Sequence, residues 1–180
     1  AYIINNKKIK HIYKKQTLPN YGVFDEKRYF SQGNENLIFD IGKNKVCIMI
    51  CEDTWNIDNL KFDKVEKLDF LISINASPYE LTKDKIRRNF FKKVSHKYKF
   101  NLIYLNTVGG QDEIVFDGSS FIVNRDGKIV HACKSFSEDS FNFFIKNKEY
   151  FINTNKSSDD TSVGLVDKKQ EPNENIIDEG

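Results

Sequence analysis

The chain is predicted to be an α/β protein, on three observations. Between Val46 and Asn106, strand-length apolar runs alternate with helical patterning in the order strand, helix, strand, helix, strand. Two of those runs stop abruptly in polar and turn residues, at Cys51-Glu52-Asp53-Thr54 and at Asn75-Ala76-Ser77-Pro78, as buried strands do at the edge of a sheet. The chain has 180 residues, 39% of them hydrophobic and 30% charged, enough for one domain with a real core.

The elements follow in order. Tyr2 to Ile4 and Ile9 to Tyr13 are β-prone runs around Asn5-Asn6-Lys7-Lys8, which reads as a hairpin turn because Asn tolerates positive φ. Lys14 and Lys15 then lie at a strand end. Leu18 to Glu26 is dense in turn formers yet rich in aromatics, an ordered loop, and Asp25 is placed to cap a short helix through Tyr29 and Phe30. Leu37 to Ile41, the turn Gly42-Lys43-Asn44 and the run ending at Cys51 form an antiparallel hairpin. A short helix is expected from Phe62 to Leu68, with Val65 and Leu68 facing inward, followed by a strand from Phe70 to Ile74. Lys83 to Tyr98 is the clearest helix, with Ile86, Phe90, Val94 and Tyr98 as its apolar stripe, and Asn101 to Asn106 is the next strand. Gly109 to Glu113 reads as a loop. Ser119 to Val123, Lys128 to Val130 and Phe141 to Phe144 read as strands, the first two joined by the turn Asn124-Arg125-Asp126-Gly127. The domain is expected to span residues 1–152, and the polar stretch 153–180 to be a linker or tail.

Composition excludes several functions. The net charge of +2, from 28 basic and 26 acidic residues without a long single-sign block, gives little reason to expect nucleic acid. No apolar run approaches the roughly 20 residues that cross a bilayer. Cys47, Cys51 and Cys133 make neither an even disulfide framework nor a Cys-x-x-Cys pair, which fits a reducing, cytoplasmic setting. His11, His96 and His131 sit at no ligand spacing, which disfavours a metal centre and a Cys-His protease. Gly109-Gly110 lacks the Lys-Ser/Thr of a phosphate cradle. The first residues, which lack an initiator Met and enter at once into strand-like sequence, suggest a chain that begins inside a domain.

A thiol at the end of a buried strand is well placed to react. The strand fixes the Cα of Cys51, the turn exposes its sulfur, and a helix starting near Thr54 or a nearby Lys15 would favour thiolate. From spacing alone, a small core cysteine and a solvent lysine are the commoner roles. The carboxyl ends of strands are also where ligands gather in α/β sheets, so Lys15, Cys51 and Asn75 to Ser77 could share a site. Trp55 is expected in the core. Asp112 and Glu113 either line the site mouth, contact a neighbouring domain or are solvated loop charge.

Lys15-Gln16-Thr17-Leu18-Pro19, Ile50 to Trp55, Asn75 to Tyr79 and Asp117 to Phe121 resemble, in this order, the signature of the nitrilase or carbon-nitrogen hydrolase superfamily. More narrowly, Leu18 to Phe30 and Val108 to Gly118 resemble the glutaminase domains of glutamine-dependent NAD+ synthetases. The resemblance implies a nitrilase-type four-layer α-β-β-α sandwich whose N-terminal part is missing here. It implies Cys51 as nucleophile on the side-chain amide of glutamine, with Lys15 and the N–H after the cysteine holding the oxyanion. Glu26 matches the family's second, positioning glutamate, and Tyr21, Glu52, Ser77 and Arg87 match positions around the α-amino and α-carboxylate groups. No cofactor is implied for this chain; ATP and Mg2+ belong to a synthetase domain that lies outside it and would be its partner, in a homo-oligomer.

The family's general-base glutamate precedes the lysine, and no glutamate precedes Lys15. The chain is thus expected to be the later part of a glutaminase domain with little activity alone. A free-standing amidase for another small amide and a non-catalytic interaction module remain alternatives.

Overall fold

The computed structural model describes residues 1–60, 67–146 and 149–152. The chain opens with an antiparallel hairpin, β1 (Tyr2–Asn5) and β2 (Lys8–Ile12). Its turn places both Asn6 and Lys7 at positive φ, so the tolerance expected of Asn is shared by a lysine. A single helical turn, α1 (Glu26–Tyr29), follows the aromatic loop. Asp25 stands at its N-cap but makes no side-chain capping bond, so its expected capping role is not realised.

The centre is a six-stranded sheet built on β3 (Leu37–Ile41), β4 (Asn44–Ile50), β5 (Phe70–Asn75), β6 (Asn101–Asn106), β9 (Phe121–Val123) and β10 (Ile129–Ala132). Strand order is β10-β9-β6-β5-β4-β3. β4, β5 and β6 run parallel, so their carboxyl ends open on one edge, and the flanking pairs are antiparallel. In the crossovers, the described residues include α2 (Glu52–Trp55), directly after β4, and α3 (Lys83–Tyr98), between β5 and β6. The helix expected from Phe62 falls mostly outside the described residues, but Leu68 is buried as expected.

Strand alternation splits the apolar residues between two faces. On one face Cys47, Met49, Leu71, Leu102, Tyr104 and Phe121 pack with Phe91 and Val94 of α3. On the other, Val46, Phe70, Ile103 and Ile122 form a second cluster with Phe39, Ile72, Val130, Phe141 and Phe143. Toward the carboxyl ends this second face stays open, with Ile74 39% and Leu105 42% exposed.

The stripe expected on α3 is rotated. Arg87, Phe91, Val94 and Ser95 are buried, whereas Ile86 is exposed. A strict four-residue repeat drifts around a helix of 3.6 residues per turn, so the true buried face includes polar members that hydropathy conceals. Ser95 earns its place by lying within hydrogen-bond reach of two main-chain carbonyls, of Phe100 at 2.6 Å and Asn124 at 2.7 Å. Phe90 still packs at the core margin, stacked on Trp55 with centroids 4.4 Å apart, which gives Trp55 its expected packing role.

The segment expected to be a loop at Gly109 is instead a hairpin, β7 (Val108–Gln111) with β8 (Ile114–Asp117), turning through exposed Asp112 and Glu113. Asp112 supplies the positive φ of that turn. A last hairpin pairs β11 (Phe143–Lys146) with β12 (Glu149–Ile152). The linker expected over 153–180 lies outside the described residues. Among the described residues no helix is long and apolar enough to cross a membrane.

Candidate active site

Cys51 sits on a strained elbow. β4 delivers the chain to the sheet edge, and α2 begins one residue later, leaving no room for an ordinary turn. The result is φ 48° and ψ −103° at Cys51, a conformation that costs a non-glycine residue about 1–3 kcal/mol. Surrounding bonds hold it there: the Cys51 N–H donates to Ile74 O at 2.9 Å, and Thr54 N–H donates to Cys51 O at 3.0 Å. Cys47, four residues earlier on the same strand, is wholly buried in the core, and burial pushes its thiol up to about 12.

The sulfur of Cys51 meets opposing influences. Burial raises its pKa, and nearby Glu52 and Glu26 add to that. Lys15 and the backbone of Ala76 act the other way. Burial wins, so the thiol titrates above its ordinary value, against the expectation that helix start and lysine would leave it a ready thiolate. α2 is a single turn and too short to reverse that balance. Alkylation of Cys51 by iodoacetamide is therefore expected to rise with pH through a midpoint above that of a free cysteine. Lys15→Met, which removes a lowering charge, should move the midpoint higher still; a midpoint below the free-cysteine value would contradict this balance.

Lys15 lies just past β2 and is not a solvent lysine. Its Nζ donates to both Glu26 carboxylate oxygens at 2.7 Å, with side chains only 13% and 24% exposed. Glu26 thus touches the ammonium and fixes where it points. Gly33 packs on the same segment: its N–H donates to Lys15 O at 2.8 Å, and an added Cβ would meet Lys14 O at 2.4 Å. Gly33→Ala is expected to lower stability by about 1–3 kcal/mol, because backbone must move to admit the methyl. A thermal melt unchanged from wild type would contradict it.

Glu52 stands beside the cysteine, its Oε2 accepting from the Tyr21 hydroxyl at 2.9 Å and its Oε1 from Asn56 Nδ2 at 3.3 Å. Desolvation and this acidic neighbour push Tyr21 up to about 12. Ser77 follows β5 on the neighbouring strand end and is buried. Its backbone is held by Asn106 at the end of β6, which accepts from Ser77 N–H at 2.9 Å and donates to Ser77 O at 3.4 Å.

Arg87 departs from expectation. Its side chain is 0% exposed, it contacts both oxygens of Asp117 at 3.2 Å, and it lies 5.5 Å from the centroid of the Tyr104 ring. The two terminal guanidinium nitrogens are engaged with this internal carboxylate, so they do not stand free as a fork for a ligand carboxylate. Asn106 Nδ2 also approaches Asp117 Oδ1 at 3.3 Å, which links the ion pair to Ser77.

Lys15, Glu26, Tyr21, Glu52 and Cys51 are thus brought to one place, with Ser77 on the adjoining strand end. Asp53, Asn106 and Asp117 were given no role from the sequence. For Asp53 and Asn106 the signal was a polar residue at or just beyond the end of an apolar strand, a pattern easily assigned to turns. Among the described residues no group of three or more His, Cys, Asp or Glu could hold a metal.

Cys51 thus stands on a strained strand end with Lys15 near its sulfur, and Glu26 holds that lysine. The carbon-nitrogen hydrolase family model matches residues 1–140, and the chain belongs to that family. Among curated relatives, the glutamine-dependent NAD+ synthetase of Acinetobacter baylyi is 43% identical over 141 residues, covering 77% of this chain and 26% of that protein. The Thermotoga maritima glutamine-dependent NAD+ synthetase is 39% identical over 141 residues, covering 77% and 24%. A solved glutamine-dependent NAD+ synthetase from Acinetobacter baumannii, in complex with ADP, superposes with a TM-score of 0.80 at 34% identity, over 89% of this chain and 31% of that one. A carbon-nitrogen hydrolase from Helicobacter pylori G27, at 22% identity and a TM-score of 0.63, shares the fold. The chain spans about a quarter of the length of these curated relatives.

Proposed function

We propose that residues 1–152 are the nucleophile-bearing part of a glutaminase domain that supplies ammonia to a glutamine-dependent NAD+ synthetase. The observation that carries this reading is the Cys51 elbow with Lys15 beside it, held bidentate by Glu26. In this reading Cys51 Sγ attacks the side-chain amide carbon of glutamine, and the carbonyl π electrons move onto oxygen. Lys15, with the N–H that follows Cys51, stabilises that oxyanion. The proton given up by the Cys51 thiol passes to the amide nitrogen, collapse breaks the C–N bond so that the nitrogen leaves as ammonia, and the glutamyl thioester remains until water hydrolyses it to glutamate and the free thiol.

Glu52, with Tyr21 on one carboxylate oxygen, is suited to an α-ammonium, and Ser77 lies beyond the adjoining strand end to complete the grip. Arg87 acts one layer away, through Asp117 and Asn106 on the Ser77 backbone. Similarity to the synthetases supports a synthetase domain of the same protein as partner, with ATP and Mg2+ used there and not by these residues. The open apolar ends around Ile74 and Leu105 suit a further covering layer, as a four-layer sandwich or an assembled homo-oligomer would supply. Cys47, Cys51 and Cys133 are all free thiols, which fits a cytoplasmic setting.

The test is protection. Glutamine is expected to slow alkylation of Cys51 in the 180-residue chain, whereas asparagine and acetamide at the same concentration leave the rate unchanged. Equal protection by acetamide would favour a simple amidase, and no protection by any amide would contradict the reading.

A further inference from the structure

We propose that Asp53 is a positioning residue that locks the Lys15 segment against the Cys51 elbow, a role that rests on reading these two residues as a working pair. Asp53 is two residues beyond the cysteine, in the middle of α2, and is completely buried. Its carboxylate reaches in two directions. Oδ1 accepts from the backbone N–H groups of Gln16 at 3.0 Å and Thr17 at 2.6 Å, the two residues that immediately follow Lys15. Oδ2 accepts from the Tyr13 hydroxyl at 2.7 Å and from Ile50 N–H at 3.3 Å, the residue that immediately precedes Cys51.

One side chain therefore ties the last residue before the thiol to the first residues after the ammonium. That link is needed because residues 13–17 belong to no helix or strand. Without such a tie, nothing in regular secondary structure sets the height of Lys15 over the sulfur. Glu26 fixes the tip of the lysine, and Asp53 fixes its backbone. All four partners are N–H or O–H donors and none is a cation, so the arrangement depends on direction more than on charge pairing. An alanine would leave these donors without their acceptor. An asparagine could accept with only one of its two arms, since its amide nitrogen only donates.

If Asp53 acts through Lys15, its removal should matter only while Lys15 is present. The rate of Cys51 carbamidomethylation by iodoacetamide, read by peptide mass spectrometry at one neutral pH, is compared in the 180-residue chain, Lys15→Met, Asp53→Ala and the double variant. Lys15→Met is expected to slow the reaction about tenfold through loss of thiolate. Asp53→Ala should slow it several-fold, and the double variant should be no slower than Lys15→Met, as coupled residues behave. Should Asp53→Ala fail to melt cooperatively, Asp53→Asn, which keeps the volume, is put through the same comparison. Full multiplication of the two effects, or no slowing by either Asp53 variant, would overturn the positioning role. No slowing by Lys15→Met would instead overturn the reading of the pair itself.

Discussion

Ammonia release from glutamine by the 180-residue chain is expected to run roughly 10²–10⁴-fold below that of a full-length relative, the span that a positioned proton carrier contributes. The reason lies in how the carboxylates near Cys51 are used. Both oxygens of Glu26 are on the Lys15 ammonium, Glu52 accepts from Tyr21 and Asn56, and Asp53 is saturated by four donors. None of the three is left to take the thiol proton and return it to the departing nitrogen. The thiol also titrates high, so spontaneous thiolate is scarce at neutral pH. An ammonia assay on the purified chain, beside a full-length synthetase at equal active-site concentration, measures the gap. A rate near that of the intact enzyme would mean that one of these carboxylates exchanges its partner for the proton.

Arg87→Ala is expected to cost about 3–5 kcal/mol of stability, because it leaves the buried Asp117 carboxylate without its cation. Asp117→Ala should cost a similar amount by stranding the guanidinium. In a domain of this size that corresponds to a fall in melting temperature of roughly 6–20 °C. The pair is buried on both sides, at 0% and 3% side-chain exposure, so solvent screening does not soften the loss. Asn106 is a partial substitute for Arg87, since its amide already donates to Asp117. The ion pair also reaches Ser77 through that same amide, so glutamine protection of Cys51 should weaken along with stability. A melting temperature within 2–4 °C of wild type, a change worth only about 1 kcal/mol, would show that the pair is not structural.

Much of the fold was legible because its strands are strongly apolar and end in abrupt polarity. β4, β5 and β6 could be read from Val46, Phe70 and Asn101 onward, and α3 matched its expected bounds of Lys83 and Tyr98. The face that α3 buries was misread, since Arg87 and Ser95 enter the core by satisfying partners that are distant in sequence. The same physics hid the β7–β8 hairpin. Gly109 and Gly110 carry no side chain to signal a strand, and their pairing with Phe116 and Val115 is visible only in space.

The candidate site was legible as a set of residues and much less as a set of roles. Cys51, Lys15, Glu26 and Glu52 could be picked out, but the high titration of the thiol depends on burial that no local pattern reports. Arg87 was selected for the chemistry of its side chain, and its true partner, Asp117, lies thirty residues away. Asp53 was passed over within a motif already quoted, because three of its four donors come from residues 13–17, far away in sequence.

The claim that Cys51 is the nucleophile toward glutamine is tested most directly by labelling the chain with a glutamine-shaped diazoketone and mapping the adduct by peptide mass spectrometry. A single adduct on Cys51, prevented by excess glutamine and absent from Cys51→Ser, is the result expected. An adduct on Cys47 or Cys133, or none at all on a chain whose Cys51 still reacts with iodoacetamide, would contradict it.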